Sequence, residues 1–186
     1  VTTTVSKLPP METYYVSGPD CAWATIAIRG WSDTAEDERV LHRGEILINS
    51  DFGNFAHRWN HMGMPIKDFL VKIGRNYLLD KLAPGDVVEF DFDASLDSVR
   101  RHIIKQRRAG VLDHDDARSA WNDVPTNHSS KEIFTYLLTE GEYFRCIDFD
   151  TIEGMLVERE NVQLVGFYDA IWIHFVEQLR TEIRYG

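Results

Sequence analysis

The sequence predicts an α+β fold, an antiparallel β-sheet built around a central hairpin and packed against several amphipathic helices. Three observations lead there. Residues 43–82, RGEILINSDFGNFAHRWNHMGMPIKDFLVKIGRNYLLDKL, alternate with a period of two, reverse at a polar turn, and then switch to helical spacing. Strand-like patterns dominate the first part of the chain and helical ones the rest, the order of an antiparallel sheet with segregated helices. The 186 residues, 44% hydrophobic and 12% aromatic, suffice for one domain that buries ~70% of its unfolded surface without metal or disulfide.

Taken in order, residues 1–12, opening VTTTVSKLPP, lack the apolar core and cleavage pattern of a secretory signal and read as a loose leader. The whole of 1–186 then reads as a single domain, with no repeat or linker to divide it. Residues 21–31, CAWATIAIRGW, alternate as a strand that runs into the acidic loop 32–39. In the hairpin, residues 44–50 put Ile46 and Ile48 on one face and Glu45, Leu47 and Asn49 on the other. Asn49, Ser50 and Asp51 supply turn formers, and Gly53 is free to take a positive φ. Residues 53–59 then place Phe55, His57 and Trp59 together on one face.

Pro65 suits the first turn of a helix, and Phe69, Leu70, Ile73, Tyr77, Leu78 and Leu82 carry one helix to Pro84-Gly85. Residues 86–93, DVVEFDFD, alternate as a further strand. Residues 95–109 form a basic amphipathic helix with Leu96, Val99 and Ile103 inward, ended by Gly110. A short helix over 113–122 carries Trp121 and is closed by Pro125. Ser129-Ser130 can cap a helix over 131–139 whose apolar face is Ile133, Phe134, Leu137 and Leu138. Finally, Phe167, Ile171, Phe175, Leu179 and Ile183 recur every four residues, predicting a long closing helix over 167–183.

Two stretches carry a resemblance. The first is Arg43-Gly44-Glu45-Ile46-Leu47-Ile48-x-Ser50-x-Phe52-Gly53-Asn54-Phe55, followed by Trp59, Met62-Gly63, Phe69-Leu70 and Tyr77-Leu78-x-x-Lys81. The second is Phe167-x-x-x-Ile171-Trp172-x-x-Phe175-x-x-Gln178-Leu179-x-x-Glu182. Together they are similar to a group of small phage and prophage proteins. The resemblance implies a phage-encoded protein of the host cytoplasm. Its motifs are packing and turn residues, so it transfers no catalytic group.

Charge and cysteine usage narrow the function classes. The chain has 30 acidic and 20 basic side chains, a net charge of −10, which repels nucleic acid at range. The basic run Arg100, Arg101, Lys105, Arg107 and Arg108 therefore reads as a solvated helix face or a contact for an acidic protein patch. No apolar run approaches the ~18 residues of a membrane span. Cys21 and Cys146 stand far apart without a CxxC partner and read as buried free thiols.

Several constellations invite a catalytic reading. His57 and His61 have the i, i+4 spacing of helical zinc sites, yet lack the Glu of HExxH and straddle a strand end, where they lie ~13 Å apart. His114-Asp115-Asp116 is expected to cap a helix start instead of holding a cation. Asp86, Glu89, Asp91 and Asp93 could hold the hard ion of a nuclease, but no Lys follows where such a site needs one. No nucleophile elbow and no phosphate-cradling glycine loop is present.

With the phage-encoded cytoplasmic origin that the resemblance implies, these residues point to an accessory protein that binds a host or phage protein with a basic surface. Inhibition of a host defence or nucleic-acid-directed complex is one such role. The expected binding residues are Asp86, Glu89, Asp91, Asp93 and Asp97, because alternate carboxylates on a strand stand ~6.6 Å apart, a ladder of charge crudely like a phosphate strand. An enzyme would draw instead on Asp86, Glu89, Asp91, His57 and His61, and a virion assembly protein is the third reading. No cofactor, metal, membrane or direct nucleic-acid contact is expected.

Overall fold

The computed structural model describes residues 3–186. It contains two compact units, one formed by the chain up to Val87 together with Asn161–Gly186, and one by Val88–Glu160. Each has an apolar cluster of its own. The sequence has no composition shift at either boundary, so nothing local announces the division.

The first unit is a four-stranded antiparallel meander of strands β1 (Glu12–Ser17), β2 (Trp23–Thr34), β3 (Val40–Ser50) and β4 (Gly53–Met62). Residues 3–11 carry no helix or strand, while Val1 and Thr2 of the expected leader lie outside the described residues. The hairpin forms as read, with Ser50 opposite Gly53 and the latter at φ +128°. Strand β1 is additional to the sequence reading. Its Tyr14 and Val16 pack on the core while Tyr15 faces out, the alternation visible in ETYYVS.

Helices α1 (Ile66–Leu70) and α2 (Arg75–Leu82) stand where one helix is expected. The chain breaks at Val71–Gly74 because Gly74 takes an extended conformation and serves as the N-cap of α2. Ile66 of α1 seats in a slot that Gly30 and Gly44, paired across β2 and β3, leave open. A Cβ at Gly44 would lie 2.6 Å from the Ile66 side chain, and one at Gly30 would lie 2.8 Å from it.

The second unit opens with β5 (Val88–Phe90) and continues through α3 (Phe92–Arg108), α4 (His114–Asn122), α5 (Lys131–Glu140), α6 (Glu142–Arg145) and α7 (Phe149–Glu153). It closes with β6 (Glu158–Glu160), which pairs antiparallel with β5. Phe134 and Leu138 of α5 are fully buried, whereas Ile133 and Leu137 are exposed, so the inward stripe is narrower than read. Ser95 is buried without penalty because its hydroxyl accepts from the Val157 N–H at 2.8 Å.

The chain then returns to the first unit as α8 (Val162–Phe167), a π-helical turn (Tyr168–Trp172) and α9 (Ile173–Tyr185). Phe167, Ile171, Phe175 and Leu179 are buried, and Ile183 is exposed. Four-residue steps overrun a 3.6-residue α turn, so such a stripe drifts around the helix. The wider π turn absorbs the surplus between Phe167 and Trp172 and keeps the stripe facing the sheet. Among the described residues, no helix is long and apolar enough to cross a membrane.

Phe175 meets Tyr14 edge-on at 5.2 Å and Trp172 at 5.3 Å. Phe175→Ala is expected to destabilise the protein by ~3–5 kcal/mol, read as a lower melting temperature. An unmoved melting point would show that the stripe is not the seam. Gly44→Ala should cost ~1–3 kcal/mol through overpacking against Ile66, and shortening Ile66 to Val in the same chain should recover part of it.

Candidate binding surface

The meander has two faces of different character. One carries Ile26, Ile28, Ile46, Ile48 and Trp59, all buried under Leu70, Leu78, Ile171, Phe175 and their neighbours. Phe55 joins this core, 5.3 Å from Phe167, so Phe55 and Trp59 belong to the interior. His57, half-buried on the same face, meets Trp59 edge-on at 4.7 Å. Burial, and then the nearby Lys81 ammonium, hold its pKa below the ordinary histidine value.

The opposite face is laid out in cross-strand rows. Thr13, Ala27, Leu47 and Ala56 form one row, and Tyr15, Thr25, Asn49 and Asn54 the next. Tyr15 is 70% exposed and Leu47 48%. On the other side of the Thr13–Ala56 row lies a charged row, in which Arg29 pairs with Glu45, and Glu45 stands opposite Arg58. The Arg58 guanidinium lies 4.9 Å from the centre of the Trp31 ring, and that of Arg29 lies 5.9 Å from it. Arg29 also donates to the Pro9 carbonyl at 3.1 Å, which places the N-terminal segment beside a cavity of about 400 Å³. Leu8, Pro9, Pro10, Trp31 and Arg58 are among its walls. A small apolar centre, a polar row and an arginine–indole rim are thus displayed on one rigid sheet.

The acidic residues singled out from the sequence are arranged differently from the expected ladder. β5 ends at Phe90, and Asp91 is the N-cap of α3, its carboxylate accepting from the Ala94 N–H at 2.9 Å. Asp93 and Asp97 follow within α3. Arg159 draws Glu89 (2.8 Å) and Asp91 (3.8 Å) into ion pairs, leaving Asp93 and Asp97 exposed. Asp86 belongs to the sheet unit, whereas the other four belong to the second. The alternation DVVEFDFD suits a strand, but the capping geometry at Asp91 starts a helix two residues earlier than a full strand allows.

The histidine pair also separates. A β-bulge between His42 and Gly44 of β3, opposite Trp59 and Met62 of β4, shifts the register, so His57 points inward and His61 is exposed. The helix starts where His114-Asp115-Asp116 predicted it, but the cap is Asp113, which accepts from the N–H groups of Asp115 and Asp116, both at 2.8 Å, while those two acidic residues occupy the first turn. Among the described residues, no group of three His, Cys, Asp or Glu side chains could hold a metal ion. Cys21 and Cys146 are free, but both are exposed where burial was expected. Cys21 lies in a short turn with φ +63°, and Cys146 directly follows α6, neither on an inward stripe.

A model of the phage family Phage_phiTE_072 matches residues 4–180. The chain belongs to this phage family. No curated protein and no solved structure matches it. The match spans both units and includes every residue of the sheet face described above.

One cluster of strongly perturbed groups went unnoticed in the sequence. Lys67 of α1 bridges Glu12 of β1 (2.6 Å) and Glu182 of α9 (2.9 Å), and the Tyr14 hydroxyl donates to Glu182 at 2.9 Å. The bond from Lys67, then that from Gln178, lowers the Glu182 pKa to about 2. Burial raises Tyr14 to about 12; burial opposes the charge on Lys67, but its carboxylate partners prevail and hold its pKa up. Tyr14 and Lys67 both keep their protons at neutral pH, which suits a clamp tying three elements together better than proton transfer. Residues so distant in sequence share no local signal.

The Glu182 carboxyl falls from 4.5 to about 2 in the folded protein, so its stabilising charge is fully present above pH 4.5 and is lost as pH falls toward about 2. Glu182→Gln is expected to melt below wild type at neutral pH, with the gap closing over that acidic window. A gap independent of pH would mean that the clamp is not ionic.

Proposed function

We propose that this phage protein is an accessory factor that acts by binding a protein, with the uncovered sheet face as its contact surface. The observation that carries the reading is the register itself. Ala27, Leu47 and Ala56 share one row, Tyr15 stands on the adjoining row, the four come from four neighbouring strands, and the Arg29–Glu45–Arg58 row borders the first. Protein interfaces have this anatomy, an apolar centre with aromatic side chains and a polar rim. Arg58 and Trp31 are residue types that often dominate binding energy, particularly beside a pocket. A partner offering a flat apolar patch with an acidic margin fits the arginines of the rim.

A second reading keeps the acidic residues. Asp93 and Asp97 are exposed, stand one turn apart on α3, and can meet a basic surface of a host complex, including one that acts on nucleic acid. Glu89 and Asp91 contribute less, since Arg159 already neutralises them.

The full chain, tagged and expressed during phage infection of the host, separates the two. Leu47→Arg lies on an exposed site and should change stability by no more than ~0.5 kcal/mol. It is expected to abolish retention of the partner, while Asp93→Asn with Asp97→Asn leaves it intact. The reverse pattern would favour the acidic reading, and a partner retained equally by both variants would overturn both.

A further inference from the structure

The C-terminal half of α3 and the length of α4 border an open cleft of about 530 Å³ in the second unit. Ile104, Arg107 and Arg108 project into it from α3, and His114, Arg118 and Trp121 from α4, each set at the spacing of one helix face. Among the described residues, Arg107, Arg108 and Arg118 make no ion pair. Trp121 is 40% exposed, and the Arg100 guanidinium stacks over its ring at 5.1 Å. The Arg100 Nε is buried without a hydrogen-bond partner.

Three guanidinium groups gathered in one concavity repel each other until an anion joins them. Guanidinium forks match phosphate oxygens in pairs, whereas a single ammonium offers only a point charge. An exposed indole beside Ile104 supplies the flat apolar wall on which a base stacks. The volume lies within the range of small-ligand sites. At the end of the cleft where α4 starts the charge reverses: Asp113, Asp115 and Asp116 flank His114, which is turned to Asp115 at 3.0 Å, and the Asp113 carboxylate is within electrostatic reach of Arg107. A long polyanion would run its outer phosphates into these carboxylates, while a small nucleotide stays within the basic zone.

We propose that this cleft binds a mono- or dinucleotide, with its phosphates on Arg107, Arg108 and Arg118 and a base on Trp121. The site is separate from the sheet face and does not depend on the protein-binding reading.

Calorimetric titration of the full chain with AMP, ATP, a phosphorylated diadenylate, inorganic phosphate, a long single-stranded DNA and oligoglutamate tests it. At least one of the three nucleotides is expected to saturate a single site, about tenfold or more tighter than phosphate. Arg107→Gln and Arg118→Gln, both exposed substitutions with an unchanged melting temperature, should each weaken it about tenfold, and Trp121→Leu likewise, with Trp121→Phe retaining most of it. Three results would overturn the assignment: no nucleotide binding at about millimolar concentration, binding indifferent to the arginine variants, or binding of phosphate or oligoglutamate as tight as that of nucleotides. Tighter binding of the long DNA would overturn it too, in favour of a polynucleotide surface.

Discussion

The sheet unit depends on covering one face of a four-stranded meander with a helix that arrives late in the chain. Ile66, Leu70, Leu78 and Leu82 cover part of Ile26, Ile28, Ile46 and Ile48, and the cover is completed only when Phe167, Ile171, Phe175 and Leu179 return. Between them lies the whole second unit, so closing the core means holding the two ends of that insertion together. The backbone does this directly: the Asn161 N–H donates to the Val87 carbonyl at 3.0 Å, and β5 pairs with β6 immediately beyond. An insertion whose ends already touch adds little closure entropy to the core that follows, because that cost depends on the span between the ends and only weakly on what lies within the loop.

Charge in this protein is organised by helix ends more than by faces. Helix α3 has Asp91 as its cap and Asp93 in its first turn, and Lys105, Arg107 and Arg108 in its last. Each set complements the partial charge of the helix end it occupies. The net charge of −10 conceals this segregation. A single helix presents an acidic start and a basic finish, and the two ends favour opposite ligands. The rim of the sheet face follows another rule, with Arg29 and Glu45 facing each other on adjacent strands as a cross-strand pair.

Much of the fold was legible because its signals are local. The alternation of Ile46 and Ile48, the polar turn ahead of Gly53, the cap at Ser130 and the stripe from Phe167 to Leu179 each depend on residues within a few positions of one another. The surfaces proposed for binding were less legible. Leu47 reads from sequence as an ordinary outward residue, and Tyr15 lies on a strand that the sequence reading did not include. They become a patch only when β1 and β3 lie on either side of β2. The arginines of α3 were visible as a run, but their cleft required Trp121 and Arg118 from α4.

The sequence alone therefore determined the class of fold, the inward faces of the hairpin and the capping of several helices, since propensity and periodicity act over one or two turns. Tertiary structure decided where those elements stop. Asp91 could continue a strand or cap a helix; its N–H still donates to the Val157 carbonyl at 2.9 Å, while its carboxylate accepts from the Ala94 N–H and starts α3. Gly74 could lie within a helix or begin one, and Ile66 docking into the slot at Gly30 and Gly44 accompanies the break that follows α1. The Tyr14–Lys67–Glu182 clamp was beyond any local signal, because its members meet only after three elements from opposite ends of the chain have packed.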